Sequence, residues 1–222
     1  MVRVLGLIPA RGGSKRIYRK NIRPVAGHPL IEWTIRDALN SKLITDIYVS
    51  SDCNIILNTA RGLGVNAIKR PKKLAGDYSQ LEEVIQHALQ TLGDYDYVVT
   101  MQPTTPFREP GILDIGIRQI IEDKSDSLIF VTELRRFIWS RDMKPINYNP
   151  TNRIRSQDKS WELVEYGDYI CRRDTIEKYG SRIGGKVSYC LGSQLSYFDI
   201  DTELDLKIAN AIATGLELDV ME

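Results

Sequence analysis

The 222-residue sequence contains few of the residues on which several common chemistries depend. Its three cysteines, at positions 53, 171 and 190, are an odd number without C-x-x-C spacing, which indicates neither a disulfide framework nor a zinc site. It has only two histidines and offers no evident Cys–His or Ser–His pair for nucleophilic catalysis. The sequence therefore favours chemistry that requires little covalent work from the protein.

Long apolar runs and an excess of charge are also absent. No apolar run approaches the length of a membrane span, and the apolar start at residues 2–8 is too short for a signal peptide. We therefore expect a cytoplasmic protein with no membrane partner. The 30 Lys and Arg residues nearly balance the 29 Asp and Glu residues, for a net charge of +1. Because nucleic-acid-binding proteins are usually basic overall, no nucleic-acid partner is expected.

What the sequence does have is a strongly cationic loop directly after an apolar strand. The loop reads Arg11-Gly12-Gly13-Ser14-Lys15-Arg16, and Arg19, Lys20 and Arg23 follow closely. Glycine lets backbone N–H groups approach an anion that Arg and Lys then neutralise, so the loop is typical of a polyphosphate site. Its spacing excludes both the Walker loop and the G-x-G-x-x-G dinucleotide fingerprint. A solvated basic turn is the alternative interpretation.

Strand-like and helix-like segments alternate along most of the chain. Predicted strands cover residues 2–8, 46–50, 65–68, 97–101 and 127–131, and predicted helices lie near 31–39 and at 53–63, 81–92 and 111–122. A predicted capping box at residues 79–82 precedes the third helix. This alternation predicts an α/β fold with one Rossmann-like, mostly parallel sheet, helices on both faces and a single domain over 1–222. Ligands of such sheets bind beyond the carboxyl ends of the strands.

The alternation stops near residue 134, and a basic, aromatic segment follows. Residues 135–165 hold seven Arg or Lys against four acids, a net charge of +3, and Trp139, Tyr148 and Trp161 are interleaved. We interpret this segment as an arm that packs on a second copy of the chain, which accounts for the tryptophans, and some of its cations are candidates to reach an acidic ligand. A partly mobile loop is the alternative.

A pair of carboxylates near the end of the chain is the second candidate site. In extended backbone, residues i and i+2 point to the same side, so Asp199 and Asp201 would project together while Ile200 faces the core. Two hard oxygen ligands form half of an Mg²⁺ site that phosphates and water would complete. Alternatively, Asp201 or Thr202 caps the last helix, with Thr202 and Asp205 forming a capping box. Capping does not account for Asp199.

The cationic loop and the carboxylate pair together suit the transfer of a nucleotidyl group from a nucleoside triphosphate. The cations would hold the triphosphate, while Mg²⁺ would neutralise the α-phosphate and the departing pyrophosphate. A non-catalytic nucleotide-binding protein has no need of both carboxylates.

Five strings in order across nearly the whole chain resemble the acylneuraminate (CMP-sialic acid) cytidylyltransferases. They are LIPARGGSKRIYRKNIRPVAGHPLIEWTI from residue 7, VSSD at 49–52, KRPKKLAGD at 69–77, MQPTTPFR at 101–108 and DIDTELDLKIA at 199–209. The resemblance implies a nucleotide-diphospho-sugar transferase type of fold with a dimerising arm. It also implies that CMP passes from CTP to a nonulosonic sugar acid.

The same resemblance implies roles for individual residues. The triphosphate would be held by Arg11, Ser14, Lys15 and Lys20; the cytidine would lie against Asn21, Arg70 and Ser79, with backbone around Ala10 reading the base. Gln102 would touch the sugar acid. Asp199 and Asp201 would bind Mg²⁺, and Asp201 would assist deprotonation of the attacking anomeric hydroxyl. Arg11, Lys20 and Asp201 are thus the predicted catalytic residues.

The match is poorer where the sugar should be recognised. Sialic-acid members typically have R-Q-x-x-P and later N-G-A-x-Y-I, whereas this chain has RIRSQD at 153–158 and Tyr166 in place of the Asn. The R-x-Q-D string is more like the pseudaminic-acid members. A sugar carboxylate still needs a cation, and Arg155 is the first candidate, because a guanidinium binds a carboxylate in bidentate fashion. Sialic, legionaminic and pseudaminic acids stay open as acceptors, and KDO or a sugar 1-phosphate is the alternative within the same fold.

Overall fold

The computed structural model describes residues 2–218. The nine strands of this part of the chain are β1 Val4–Pro9, β2 Pro24–Val25, β3 His28–Pro29, β4 Asp46–Ser51, β5 Asn66–Lys69, β6 Tyr97–Met101, β7 Ser127–Leu134, β8 Glu162–Arg172 and β9 Val187–Leu191. Its six α-helices are α1 Leu30–Asn40, α2 Asn54–Gly62, α3 Leu81–Leu92, α4 Ile112–Glu122, α5 Arg173–Tyr179 and α6 Glu203–Gly215. Short 3₁₀ turns lie at Lys20–Ile22, Lys72–Ala75, Pro150–Asn152, Ser156–Asp158 and Leu195–Tyr197.

Seven of the strands form one sheet in the order β5-β4-β1-β6-β8-β7-β9. The pairs β5–β4, β4–β1, β1–β6 and β7–β9 are parallel, and β8 runs antiparallel to both its neighbours, β6 and β7. The predicted mostly parallel α/β sheet is therefore confirmed. From β1 the chain moves to β4 and β5 on one side and then to β6 on the other, so the strand order reverses beside β1. Ligands bind at such a reversal in open α/β sheets.

The side chains of β1 alternate between two apolar layers. Val4 and Ile8 pack in the layer that contains α1, α2 and α4, whereas Leu5 and Leu7 pack with α3 and α5. A strand that is apolar throughout is buried on both faces, and each such side chain contributes about 1.5–3 kcal/mol on burial. Helices on both faces are thus confirmed, and β1 is held rigidly where its cationic loop begins.

Several boundaries differ by a few residues from the prediction, and the contacts explain two of these differences. Helix α3 starts one residue later than the predicted capping box implies, because Gln80 is its N-cap and Glu83 accepts a hydrogen bond from the Gln80 backbone N–H at 2.9 Å. The predicted arm is also shorter. Glu162 begins β8 and pairs with Leu134, so residues 162–165 belong to the sheet, and the arm is 135–161.

Aromatic contacts hold the arm together within the chain. The Phe137 ring lies 4.6 Å from Tyr148 and 5.4 Å from Trp161, measured between centroids, and the Arg153 guanidinium stacks 4.1 Å above Phe137. The tryptophans therefore have an internal role that the sequence did not reveal. Trp139 keeps 43% of its surface exposed.

No helix within residues 2–218 has the length and apolar character that crossing a membrane requires.

Candidate active site

A cavity of about 670 Å³ lies at the carboxyl ends of β1, β5 and β6, where the strand order reverses. Its size falls within the range of small-molecule sites, roughly 300–1,000 Å³. The sequence-predicted residues in its wall are Arg11, Ser14, Lys15, Lys20, Asn21, Arg70, Ser79, Gln102, Asp199 and Asp201. The structure thus brings together two candidate sites that are almost the whole chain apart in sequence.

The loop after β1 is fixed by contacts with neighbouring strand ends. The Gly12 N–H donates to the Asp52 carboxylate at 2.9 Å, and the Asn21 amide donates to the Arg11 carbonyl at 2.9 Å. A Cβ at Gly12 would lie 2.6 Å from the Cβ of Cys53, so only glycine allows this close approach. The cationic loop is consequently a shaped element of the cavity.

Two cations of the loop form ion pairs with an acid that also lines the cavity. Arg11 and Lys15 contact the Asp77 carboxylate at 3.1 and 2.8 Å. Hydrogen bonds and charge from Lys15 and Arg11 hold the pKa of Asp77 below its usual range. Asp77, which lies in the KRPKKLAGD string, was not among the predicted site residues.

The side of the cavity after β5 combines a buried cation with apolar surface. Arg70 is 5% exposed, and burial lowers its pKa, an effect that Asp52 opposes and Arg11 reinforces. The Ser79 hydroxyl donates to the Lys73 carbonyl at 2.9 Å. Apolar side chains complete this wall, namely Leu74, Leu81 and Val84. A guanidinium beside apolar side chains suits a flat ring that carries hydrogen-bond acceptors.

The carboxylates Asp199 and Asp201 both face the cavity, while Ile200 is fully buried against the cluster around Phe107. This confirms the predicted division of the three side chains. Burial raises the pKa of Asp199, a hydrogen bond from Thr104 opposes the rise, and the charge of Asp201 adds to it. Two neighbouring carboxylates in one cavity wall favour a cation beside them.

Helix capping does not account for Asp201. The N-cap of α6 is Thr202, whose hydroxyl accepts from the Asp205 N–H, and the Asp205 carboxylate accepts from the Thr202 N–H at 2.7 Å. The Asp201 carboxylate instead accepts from Arg16 at 2.8 Å and from Lys20 at 3.2 Å. The Lys20 ammonium also donates to the Ile200 carbonyl at 2.7 Å and therefore connects the two halves of the site.

A turn after β6 forms the wall between Gln102 and the carboxylate pair. Gln102, Pro103 and Thr104 all line the cavity. The Thr104 carbonyl accepts from the Ile200 N–H at 2.8 Å, so this turn is connected to the backbone between the two carboxylates. Thr104 was not among the predicted site residues, although it lies in the MQPTTPFR string.

Two predicted residues are not in the cavity wall. Ala10 is fully buried, and its N–H donates to the Ser50 carbonyl at 2.9 Å, continuing the sheet pairing past β1. The Arg155 side chain is 73% exposed and pairs at 2.6 Å with Asp158, in the 3₁₀ turn that directly follows Arg155. Tyr166, at the position where the family pattern has Asn, is buried and packs 6.1 Å from the Phe130 ring. Ligand roles for Ala10 and Arg155 stay predictions.

The sequence is similar to known enzymes over most of its length. A family model described as Cytidylyltransferase matches residues 5–202. N-acylneuraminate cytidylyltransferase A of Danio rerio is 34% identical over 214 residues, which cover 93% of this chain and 50% of that protein. The pseudaminic acid cytidylyltransferase of Campylobacter jejuni is 39% identical over 134 residues, 58% of each protein. The chain spans about half the length of the N-acylneuraminate enzymes that it matches.

Among solved structures, CMP:2-keto-3-deoxy-manno-octonic acid synthetase complexed with CTP has a TM-score of 0.73 at 16% identity, covering 96% of this chain and 99% of that one. At this identity the likeness concerns the fold alone. The family model and the relatives confirm the resemblance that the five strings indicated. The chain belongs to the cytidylyltransferase family.

Proposed function

We propose that this chain transfers CMP from CTP to the anomeric hydroxyl of a nonulosonic sugar acid and releases pyrophosphate. The observation that carries the proposal is the shared cavity: loop cations at its β1 side and two carboxylates near Thr104 line one space of about 670 Å³. A triphosphate and an acceptor hydroxyl have to meet in such a space for nucleotidyl transfer.

The positions of the side chains suggest a division of labour. Arg11, Ser14 and Lys15 would bind the triphosphate, leaving Lys20 near the α-phosphate because it also contacts Asp201. The cytidine would lie against Asn21, Arg70 and Ser79 and the apolar wall beside them. Fixed cations that neutralise charge developing on phosphate oxygens lower the barrier to phosphoryl chemistry.

The reaction needs one proton acceptor near the sugar. The anomeric hydroxyl oxygen would attack the α-phosphorus as the bond from that phosphorus to the bridging oxygen breaks, and pyrophosphate would leave. The hydroxyl proton would pass to the Asp201 carboxylate, and Gln102 would orient the sugar from the turn after β6.

The carboxylate pair fits a magnesium ion. Asp199 and Asp201 supply hard oxygen atoms. Desolvation raises the pKa of Asp199 and the charge of Asp201 adds to the rise, a cost that a divalent cation would relieve. Within residues 2–218 no three His, Cys, Asp or Glu side chains group into a metal site, so phosphate oxygens and water would complete the coordination. Bound there, Mg²⁺ would neutralise charge on the α-phosphate and the leaving pyrophosphate.

The acceptor is a nonulosonic acid in this proposal because one relative is named for N-acylneuraminate and another for pseudaminic acid. Arg155 does not line the cavity of its own chain, and its side chain is exposed. In this proposal it would contact the sugar bound to a second copy of the chain, on which the arm packs. Exposed apolar side chains on the arm support a homodimer, namely Trp139, Met143, Ile146 and Ile154. The homodimer and a cytoplasmic location stay predictions.

The test is pyrophosphate release from CTP with Mg²⁺ across a panel of sialic, legionaminic and pseudaminic acids, KDO and sugar 1-phosphates. ATP, GTP and UTP serve as nucleotide controls. Release with CTP and one nonulosonic acid would support the proposal and identify the acceptor. Pyrophosphate release only with KDO or a sugar 1-phosphate would mean that the acceptor is of that class instead. Binding of CTP without pyrophosphate release on any acceptor would favour a non-catalytic nucleotide-binding protein.

A further inference from the structure

A buried ion pair lies directly behind the cavity, and the proposed chemistry does not use it. Arg108 and Asp168 both have fully buried side chains and form two parallel hydrogen bonds, Nε to Oδ2 and Nη2 to Oδ1, each 2.7 Å long. Burial disfavours the charged guanidinium, but Asp168 and Asp37 outweigh it and raise the pKa of Arg108. The two parallel hydrogen bonds are the bidentate geometry of a guanidinium with a carboxylate.

Stability alone is a weak reason for such a pair. Replacing a buried ion pair by apolar side chains of similar volume is often neutral or stabilising, because two charges no longer have to be desolvated. The remaining guanidinium contacts indicate what the pair does. Nη2 donates to the Gln102 carbonyl at 2.8 Å. Nη1 donates to the Thr34 hydroxyl of α1 at 2.9 Å and, at 3.4 Å, to the Asp37 carboxylate of the same helix.

The Gln102 carbonyl belongs to the turn that lines the cavity, and β8 holds the same turn from its other side. The Gln102 N–H donates to the Gly167 carbonyl at 3.2 Å. A Cβ at Gly167 would lie 2.9 Å from the Thr105 hydroxyl, so the turn packs against bare backbone there. Two residues of β8 thus fix the turn. Gly167 does so because its backbone packs closely against the turn, and Asp168 does so because it binds Arg108.

This turn also fixes the carboxylate pair. The Thr104 carbonyl accepts from the Ile200 N–H at 2.8 Å, which fixes the backbone between the two carboxylates. A continuous path of short contacts therefore runs from Asp168 through Arg108 and the turn to the residues on either side of Ile200.

We propose that Arg108, held by Asp168, is a positioning residue that sets the turn at residues 102–105 and, through Thr104, the placement of Asp199 and Asp201. The role in turnover rests on the proposed function, whereas the role in positioning does not. A guanidinium suits it because one planar group serves Asp168, Gln102 and Thr34 in fixed directions, which the point charge of a lysine does not.

The test uses two variants of the full chain. Arg108→Lys keeps the charge but loses the planar guanidinium. The double variant Arg108→Met with Asp168→Leu removes both charges of the pair and serves if the single variant is too unstable; Asp37, the second acid beside Arg108, is 28% exposed and keeps access to water. Arg173→Lys is the matched control, because Arg173 pairs with exposed Asp94 at 2.7 Å, and it does not line the cavity.

The first readout is hydrogen–deuterium exchange, which does not depend on any activity. Both variants should exchange the Ile200 and Gln102 amides at least tenfold faster, while β1 amides stay as protected as in the wild type. Unchanged exchange at Ile200 in both variants would overturn the proposal, whatever the chain catalyses.

The second readout is the division between kcat and KM. Misplaced carboxylates should lower kcat by about 10- to 100-fold. The KM for CTP should stay within about twofold, because Arg108 does not contact Arg11, Lys15 or Arg70. A lower melting temperature with kcat unchanged would mean that Arg108 is structural only. Absence of turnover in the wild type would count against the proposed function, and exchange at Ile200 would then decide the positioning role.

Discussion

The loop after β1 and the arm at 135–161 are both rich in arginine and lysine, yet their cations pair in opposite ways. In the loop, Arg11 pairs with Asp77, 66 residues away, and Lys20 pairs with Asp201, 181 residues away. In the arm, Arg155 pairs with Asp158 and Arg135 with Glu133, three and two residues away.

This difference in pairing distance distinguishes the loop, which lines the cavity, from the arm, whose cations lie on the surface. Local pairs form in any exposed segment and contribute about 0–1 kcal/mol, and the arm side chains of Arg155 and Arg135 are indeed 73% and 60% exposed. Long-range pairs require the fold to bring distant segments to one place. Composition alone could not distinguish the two regions. Pairing distance does distinguish them, and the lining of the cavity assigns the ligand chemistry to the loop.

The largest effect on turnover should come from replacing Asp201, the acid that pairs with Lys20. Asp201→Asn keeps the shape but removes the proposed proton acceptor and one oxygen charge of the metal site. We expect turnover to fall by about 10²–10⁴-fold, as is typical for loss of general-base catalysis. Steady-state pyrophosphate release measures it, and circular dichroism checks the fold.

Glu203→Gln is the control for that experiment. Glu203 lies two residues further on, pairs with Arg23 at 2.9 Å and does not line the cavity. Its turnover should match the wild type. Equal rates in both variants and the wild type would remove Asp201 from the mechanism.

The next largest effect should come from a loop cation compared with an arm cation. Arg11→Met should weaken CTP binding by about 10- to 100-fold, since a charge-assisted hydrogen bond contributes about 1.5–3 kcal/mol. Arg135→Met should change it by less than about twofold, because its charge is local and exposed. Titration calorimetry at two salt concentrations measures both. If the two variants weakened binding equally, pairing distance would not identify the site.

The sequence predicted the sheet well because its elements are determined locally. β1 is apolar throughout and α3 and α4 have helical periodicity, so burial and secondary structure coincide in them. Strands β8 and β9 were missed. Residues 162–172 contain Val, Tyr and Ile, which favour a strand, but the pairing of β8 with β6 and β7 depends on partners elsewhere in the chain. The arm boundary was misplaced for the same reason.

The candidate site was predictable only in part. Residues such as Lys20 and Asp199 carry chemistry in their own side chains and stand out in the sequence. Asp77 and Arg108 act through contacts with distant segments, Arg11 in one case and Asp168 in the other. A single sequence gives no sign of these contacts, so the turn and its anchor emerge only from the fold.

The smallest expected effect concerns Asp77, the acid with which the loop cations pair when no ligand is bound. Asp77 shares Arg11 and Lys15 with any incoming triphosphate, so Asp77→Asn should strengthen CTP binding by about two- to fivefold, a small gain because solvent screens this half-exposed ion pair. Because the two cations hold its pKa below the usual range, Asp77 stays ionised between about pH 6 and 8, and the gain should not vary there. Calorimetry with CTP and with inorganic tripolyphosphate should show the same gain. Weaker binding of both would mean instead that Asp77 holds Arg11 and Lys15 in the geometry that the phosphates need, and the long-range pair would then be part of the binding site rather than its competitor.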